Sequence, residues 1–231
     1  MKLLAIGDPH GKLPKNLDKI MKRGNIEIIA CTGDVPPVPN AFRKGRINYF
    51  PKEFLKNADK LYKKIVGKLC SYKKPVLILK GNMYLTGSRN KLTKQIFSSY
   101  GNLFYKKTGK VKIKGKNFVL FDMSFEPHMY KKADSWMKRQ FKINNSREIK
   151  LNKLLKNLDG AILISHAPPF GYLDKTKAVH RGSKILLRAI KKHKPKLVLS
   201  GYIHEQKGKK KIGKTEIYNL GFCGDYKILD V

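Results

Sequence analysis

The sequence predicts a layered α/β fold, and three observations carry that reading. Short continuous apolar runs alternate with amphipathic stretches of helical period along 231 residues, and alternating buried strands and helices stack as layers of sheet and helix. Two segments, VKIKGKNFVLF (111–121) and KKKIGKTEIY (209–218), place a glycine between strand-like runs. They read as hairpins, so the sheets are mixed. No internal repeat and no clean linker interrupts the pattern, so a single domain over 1–231 is expected.

The strands are read, in order, at KLLAI (2–6), IEIIAC (26–31), PVLILK (75–80), NFVLFDM (117–123), GAILIS (160–165) and KLVLS (196–200). Each is a short apolar run of the length a buried strand takes. Helices are expected over 15–23, 52–70, 146–157 and 183–193, with Leu55, Leu61, Ile65 and Leu69 on the buried face of the second. Ser183 suits the cap of the last one, because its hydroxyl can accept from a first-turn N–H. The proline-rich, basic and aromatic segment VPPVPNAFRKGRINYFP (35–51) reads as a long loop.

Composition narrows the class. At 41% hydrophobic the chain can bury a substantial core. No apolar run approaches the roughly 20 residues of a membrane span, and LLAIG (3–7) is shorter than a signal-peptide core. A cytoplasmic protein with no membrane partner is expected. Cys31, Cys70 and Cys223 match no disulfide or zinc spacing. The 51 Lys and Arg against 16 Asp and Glu give a net charge of +35, which attracts polyanions such as nucleic acid. A lysine-rich proteome is the other source of such an excess. The basic runs FRKGRINYF (42–50), YKKADSWMKRQFK (130–142) and KGKKK (207–211) hold the candidate polyanion contacts Arg43, Lys44, Arg46, Lys209, Lys210 and Lys211. Two of the runs interleave cations with aromatics, as single-strand binders do.

The chemistry lies where strands end. AIGDPHG carries Asp8 and His10, CTGDVP carries Asp34, LKGNMY carries Asn82, ISHAPP carries His166 and SGYIHE carries His204. Open α/β sheets gather their sites outside the carboxyl ends of strands. Each fragment alone is as readily a turn or a structural histidine; five together, each after an apolar run, are not. Carboxylate, imidazole and amide oxygen suit one or two divalent ions such as Mn, Zn, Fe or Ni.

The order DPH (8–10), GD (33–34), GN (81–82), SH (165–166) and GYIH (201–204) resembles the signature of the calcineurin-like metallophosphoesterases. SHAPPFGYLD, VHRGSK and GYIHE resemble further a small archaeal and bacterial branch of that family. The resemblance implies a four-layer α-β-β-α sandwich of two mixed sheets. It implies Asp8, His10 and His204 on a first metal, Asn82 and His166 on a second, and Asp34 bridging. A hydroxide between the metals would then attack phosphorus. Asn82 would also meet the substrate.

Two positions depart from the pattern. Tyr202 stands where the family has a second-metal histidine, and a neutral phenol is a poor ligand for Zn or Mn. It reads either as a damaged ligand or as a space-filling neighbour of the second metal. Met83 stands where many members carry a proton-donating histidine, and methionine has no exchangeable proton, so no catalytic acid is assigned. His128 is a spare histidine for that task. His180 in VHRGSK precedes a helix start and is expected to line the substrate pocket, since a helix N-terminus favours phosphate. Trp136 is read as packing or base-stacking, and His193 as the solvated end of a helix. The function expected is hydrolysis of a phosphodiester or phosphomonoester, on nucleotides or nucleic acid. The alternative is a catalytically weakened relative that binds nucleic acid or a partner.

Overall fold

The computed structural model describes residues 1–39, 51–82, 87–122, 126 and 135–231. Contacts divide the chain into two compact units, residues 1–104 with 222–231, and residues 105–221.

The first unit is built on a five-stranded mixed sheet. Its strands are β1 (Lys2–Ile6), β2 (Ile28–Cys31), β3 (Val76–Ile78), β4 (Leu103–Phe104) and β13 (Tyr226–Asp230), in the order β13-β1-β2-β3-β4. The strands β1 to β4 run parallel, and β13 pairs antiparallel to β1. Every residue of β2 and β3 is buried, as are four of the five in β1; such uninterrupted apolar runs belong to strands covered on both faces. The helices are α1 (Leu17–Arg23), α2 (Lys52–Ser71) and α3 (Gly87–Ser98). The buried stripe of α2 is Ala58, Tyr62, Ile65, Val66 and Leu69. It centres on Tyr62, whose ring meets Phe97 of α3 edge-on at 6.3 Å. The expected Leu55 and Leu61 are therefore only half-buried.

The second unit carries a six-stranded mixed sheet in the order β11-β12-β10-β7-β6-β5. Its strands are β5 (Thr108–Ile113), β6 (Lys116–Phe121), β7 (Ile162–Ser165), β10 (Leu197–Ser200), β11 (Gly208–Ile212) and β12 (Thr215–Asn219). Both expected hairpins form, β5–β6 and β11–β12. The turn of the first holds Lys114 and Gly115 at φ +47° and +78°, the paired left-handed residues that match the twist of a two-residue hairpin. A small hairpin, β8 (Lys175–Thr176) with β9 (Val179–His180), stands apart from the sheet. Helices α4 (Ser135–Leu155) and α5 (Lys184–His193) cover a core of Val119, Phe121, Leu151, Leu163, Leu186 and Val198, among others.

Ser183 caps α5 as expected, accepting from Leu186 N–H at 2.9 Å. His193 is not a free helix end: its Nε2 lies 2.8 Å from Asn152 Oδ1 and joins α5 to α4. Two mixed sheets with five α-helices among the described residues are the fold class the sequence predicts.

Candidate metal centre

In the first unit, parallel strands β1, β2 and β3 are neighbours, so their carboxyl ends open at one edge of the sheet. Asp8 and His10 follow β1, Asp34 follows β2, and Gly81 and Asn82 follow β3. Backbone bonds lace these corners together. His10 N–H donates to Asp34 O at 2.9 Å, Asp34 N–H to Lys80 O at 3.2 Å, and Cys223 N–H to Asp8 O at 2.9 Å. A carboxylate oxygen of Asp8 lies within 4.8 Å of a ring nitrogen of His10 and of a carboxylate oxygen of Asp34. Asp8 is 0% and Asp34 3% exposed. Two carboxylates held side by side out of water repel strongly, and a divalent cation between them removes that cost. This donor set fits a metal.

The candidate ligand atoms are also oriented. His10 Nδ1 lies 3.2 Å from the carbonyl of Pro36, which can only accept. Nδ1 therefore carries the proton, and Nε2 is the atom left available to a metal. Thr32 Oγ1 donates to Asp8 Oδ1 at 2.6 Å, fixing that carboxylate from behind. The sequence reading missed Thr32, although CTGD displays it two residues before Asp34. Cys31 is an inert neighbour: burial, helped by Asp8 and Asp34, pushes its thiol up to about 12.

Gly81 explains the glycine of the GN motif. Its φ is +77°, and a Cβ built there would lie 2.2 Å from Asp34 Oδ1 and 2.6 Å from Asp34 N. Only a bare backbone lets that carboxylate occupy its place. His10 and Asp34 themselves sit at φ +43° and +41°, a region that costs a non-glycine residue about 1–2 kcal/mol and is concentrated at functional corners.

In the second unit, β7 and β10 are parallel neighbours, and each hands a histidine loop to the same sheet edge. His166 follows β7 and is fully buried, with its carbonyl accepting from Gly201 N–H at 3.0 Å. His204 opens a 3₁₀ turn, His204–Gln206, after β10. Tyr202, at φ +67°, sets its ring 5.4 Å from that of His166. Asn219, 2% exposed at the end of β12, ties this region together. Its amide donates to Ile203 O at 2.8 Å and to Leu173 O at 3.1 Å. The polar end of an otherwise alternating TEIYN strand was its only signal in the sequence.

The loop after His166 continues into a second polar cluster. Asp174, 1% exposed, accepts from Gly171 N–H at 3.0 Å and Gly182 N–H at 2.9 Å, and its Oδ1 lies 2.6 Å from His180 Nδ1. The phosphate role expected of the following helix start is corrected. The carboxylate of Glu126 accepts from the Ser183 hydroxyl and from the N–H groups of Lys184 and Ile185, at 3.1 and 3.4 Å for the latter two. An internal anion already occupies the place a phosphate would take.

Lys209, Lys210 and Lys211 of KGKKK lie on β11, an edge strand, and all three are exposed. Lys209 pairs with Glu216 at 2.6 Å and rests 5.2 Å above the Tyr218 ring. Arg43, Lys44, Arg46, Met83, Tyr84 and His128 lie outside the described residues. No described helix is long and apolar enough to cross a membrane.

Residues 2–231 match the family model for the metallophosphoesterases of the calcineurin superfamily. The chain belongs to that family. A UPF0046 protein of Caenorhabditis elegans is 35% identical over 65 residues, 28% of this chain and 22% of that protein, so the chain aligns with under a quarter of that relative. In fold, the chain is similar to a dimetal phosphatase from Danio rerio, with a TM-score of 0.66 at 10% identity over 99% of this chain and 91% of the other. A solved archaeal phosphodiesterase gives 0.50 at 14% identity, over 100% and 93%. Family membership together with the Asp8, His10 and Asp34 cluster points to divalent-metal binding and to a phosphoester-hydrolase class.

Proposed function

We propose that the chain hydrolyses a phosphodiester of a nucleotide or nucleic acid, with Asp8, His10 and His204 on one ion, Asn82 and His166 on a second, and Asp34 shared. The observation that carries the reading is the buried Asp8–Asp34 pair, backed by Gly81 and oriented by Thr32. A divalent ion, when bound, lowers the pKa of water toward neutrality and neutralises charge on the phosphoryl oxygens. The chain's own residues hold the carboxylates together, keep His10 in one tautomer and bury the anionic centre. In this reading 1–231 acts as one domain, and the metal is a divalent ion of the Mn, Zn, Fe or Ni kind. The diester preference is supported by the exposed lysines of β11 beside the His204 loop and by the fold likeness to an archaeal phosphodiesterase.

The test is metal stoichiometry by elemental analysis, with hydrolysis of bis-p-nitrophenyl phosphate in added Mn, for wild type and Asp34→Asn. Metal-dependent hydrolysis that Asp34→Asn abolishes is the expected result. One observation favours the second reading, a weakened relative that only binds: Tyr202 sets a phenol beside His166 where the family has an imidazole. Metal bound at full stoichiometry with no hydrolysis of any ester would establish it.

A further inference from the structure

The second unit contains a histidine–carboxylate pair that the metal ligands do not use. His180 Nδ1 lies 2.6 Å from Oδ1 of the buried Asp174. A buried carboxylate with two backbone donors already on it is a strong acceptor, so Nδ1 carries a proton toward it and Nε2 is the atom left for exchange. The His180 side chain is 35% exposed, against 1% for Asp174. The imidazole also leans on Phe170, with centroids 5.3 Å apart, so two contacts fix its plane.

The pair is tied to both histidine loops of its own unit. On the His166 side, Ser183 N–H donates to Pro168 O at 2.7 Å, and Phe170 N–H to Ser183 O at 3.0 Å. Gly182 packs so closely that a Cβ would lie 2.7 Å from Pro169 O and from Asp174 Oδ2. On the His204 side, the Asn219 amide bonds both Leu173 O, next to Asp174, and Ile203 O, next to His204. The strand β8 packs on the 3₁₀ turn that His204 opens. This is a ring with one exchangeable nitrogen, held by the segments that carry two candidate ligands. The helix start beside it is filled by Glu126, so His180 is not there to assist a phosphate at α5.

We propose that His180, oriented by Asp174, donates the proton taken up by the leaving oxygen when the phosphoester is cleaved. This rests on the phosphoesterase reading and supplies the proton that Met83 cannot. The bond from phosphorus to the leaving oxygen breaks with its electron pair on that oxygen, while a water oxygen bonds to phosphorus. Imidazolium Nε2–H passes to the leaving oxygen, and neutral His180 keeps Nδ1–H on Asp174. The attacking water releases its proton to solvent, and solvent reprotonates His180. Asp174 is a positioning residue.

The experiment compares wild type with His180→Gln, both loaded with Mn, on two diesters. Bis-p-nitrophenyl phosphate expels a stable anion that needs no proton; a dinucleoside monophosphate expels a sugar hydroxyl that does. The variant should lose about 100-fold or more in kcat on the dinucleotide and stay within about threefold on the nitrophenyl ester, the span general acid catalysis provides. In wild type, ¹⁵N NMR of neutral His180 should show the Nδ1–H tautomer. Equal loss on both esters, no loss on either, an Nε2–H tautomer, or wild type that cleaves only the nitrophenyl ester would each overturn the proposal while the phosphoesterase reading stands. Wild type that cleaves neither ester would overturn both.

Discussion

Replacing Gly81 by alanine should displace Asp34 and weaken metal binding. The new Cβ would sit 2.2 Å from Asp34 Oδ1, 2.8 Å from its Cγ and 2.6 Å from its N. Ordinary contact would require the carboxylate to retreat by more than about 1 Å, and packed surroundings resist such shifts. The amide cannot follow freely, since Asp34 N–H is bonded to Lys80 O in the same corner. The φ of +77° adds about 1–2 kcal/mol for any residue with a Cβ. For a chain of this size that lowers Tm by about 2–8 °C without metal. Disturbing a ligand's support costs about 10–100-fold in metal affinity. Calorimetric titration with Mn and thermal melts with and without metal read the two effects separately. Gly101→Ala is the control, because nothing lies within 4 Å of a Cβ there. A Gly81→Ala protein with wild-type Mn affinity would refute the placement of Asp34 at the metal.

Tyr202→His should tighten the weaker of two metal sites by about tenfold or more, read by the same titration; an unchanged second constant would show that Tyr202 does not adjoin that ion. Replacing Lys209, Lys210 and Lys211 with alanine should flatten the salt dependence of single-stranded RNA binding by about 2 log units per log salt, from about 0.7 per phosphate contact. An unchanged slope would exclude β11 from the contact. Burial, and then Lys192, hold His193 below its ordinary 6.5. The folded chain thus binds fewer protons than the unfolded one, so this contribution is full above pH 6.5 and is lost as pH falls toward the folded value. Urea midpoints should drop below pH 6.5, and less so in His193→Gln.

The strand ends were legible because a buried strand announces itself as an apolar run and a candidate ligand as a polar residue shortly after it. Asp8, Asp34, Asn82, His166 and His204 all follow that rule. Asp174 and Glu126 were not legible. Each sits in a loop, and its role depends on which backbone N–H groups the fold brings to it. Helix α3 went unread because GSRNKLTKQIFS offers few apolar positions, and its buried face includes Thr93. The strand β13 was missed because YKILD is short and is given its place only by pairing with β1 at the other end of the sequence. Helix α4 begins eleven residues before the expected start at 146; its first half sets Trp136, Met137, Phe141 and Ile143 among Lys138, Arg139 and Lys142, and so reads as a basic, aromatic run.

That pairing has a consequence for the order in which the molecule is made. Asp8 leaves the ribosome well before Cys223, yet its carbonyl accepts from Cys223 N–H, and Gly7 N–H reaches Asp225 O. The second unit, residues 105–221, is continuous and can close while synthesis continues. The first must keep β1, apolar on both faces, waiting for a partner strand more than 200 residues downstream. Long-range closure of this kind is slow. The nascent chain should therefore leave the apolar edge of β1 unpaired until β13 emerges. Stalled chains ending at 221 should be cut by protease within 1–104 while 105–221 resists.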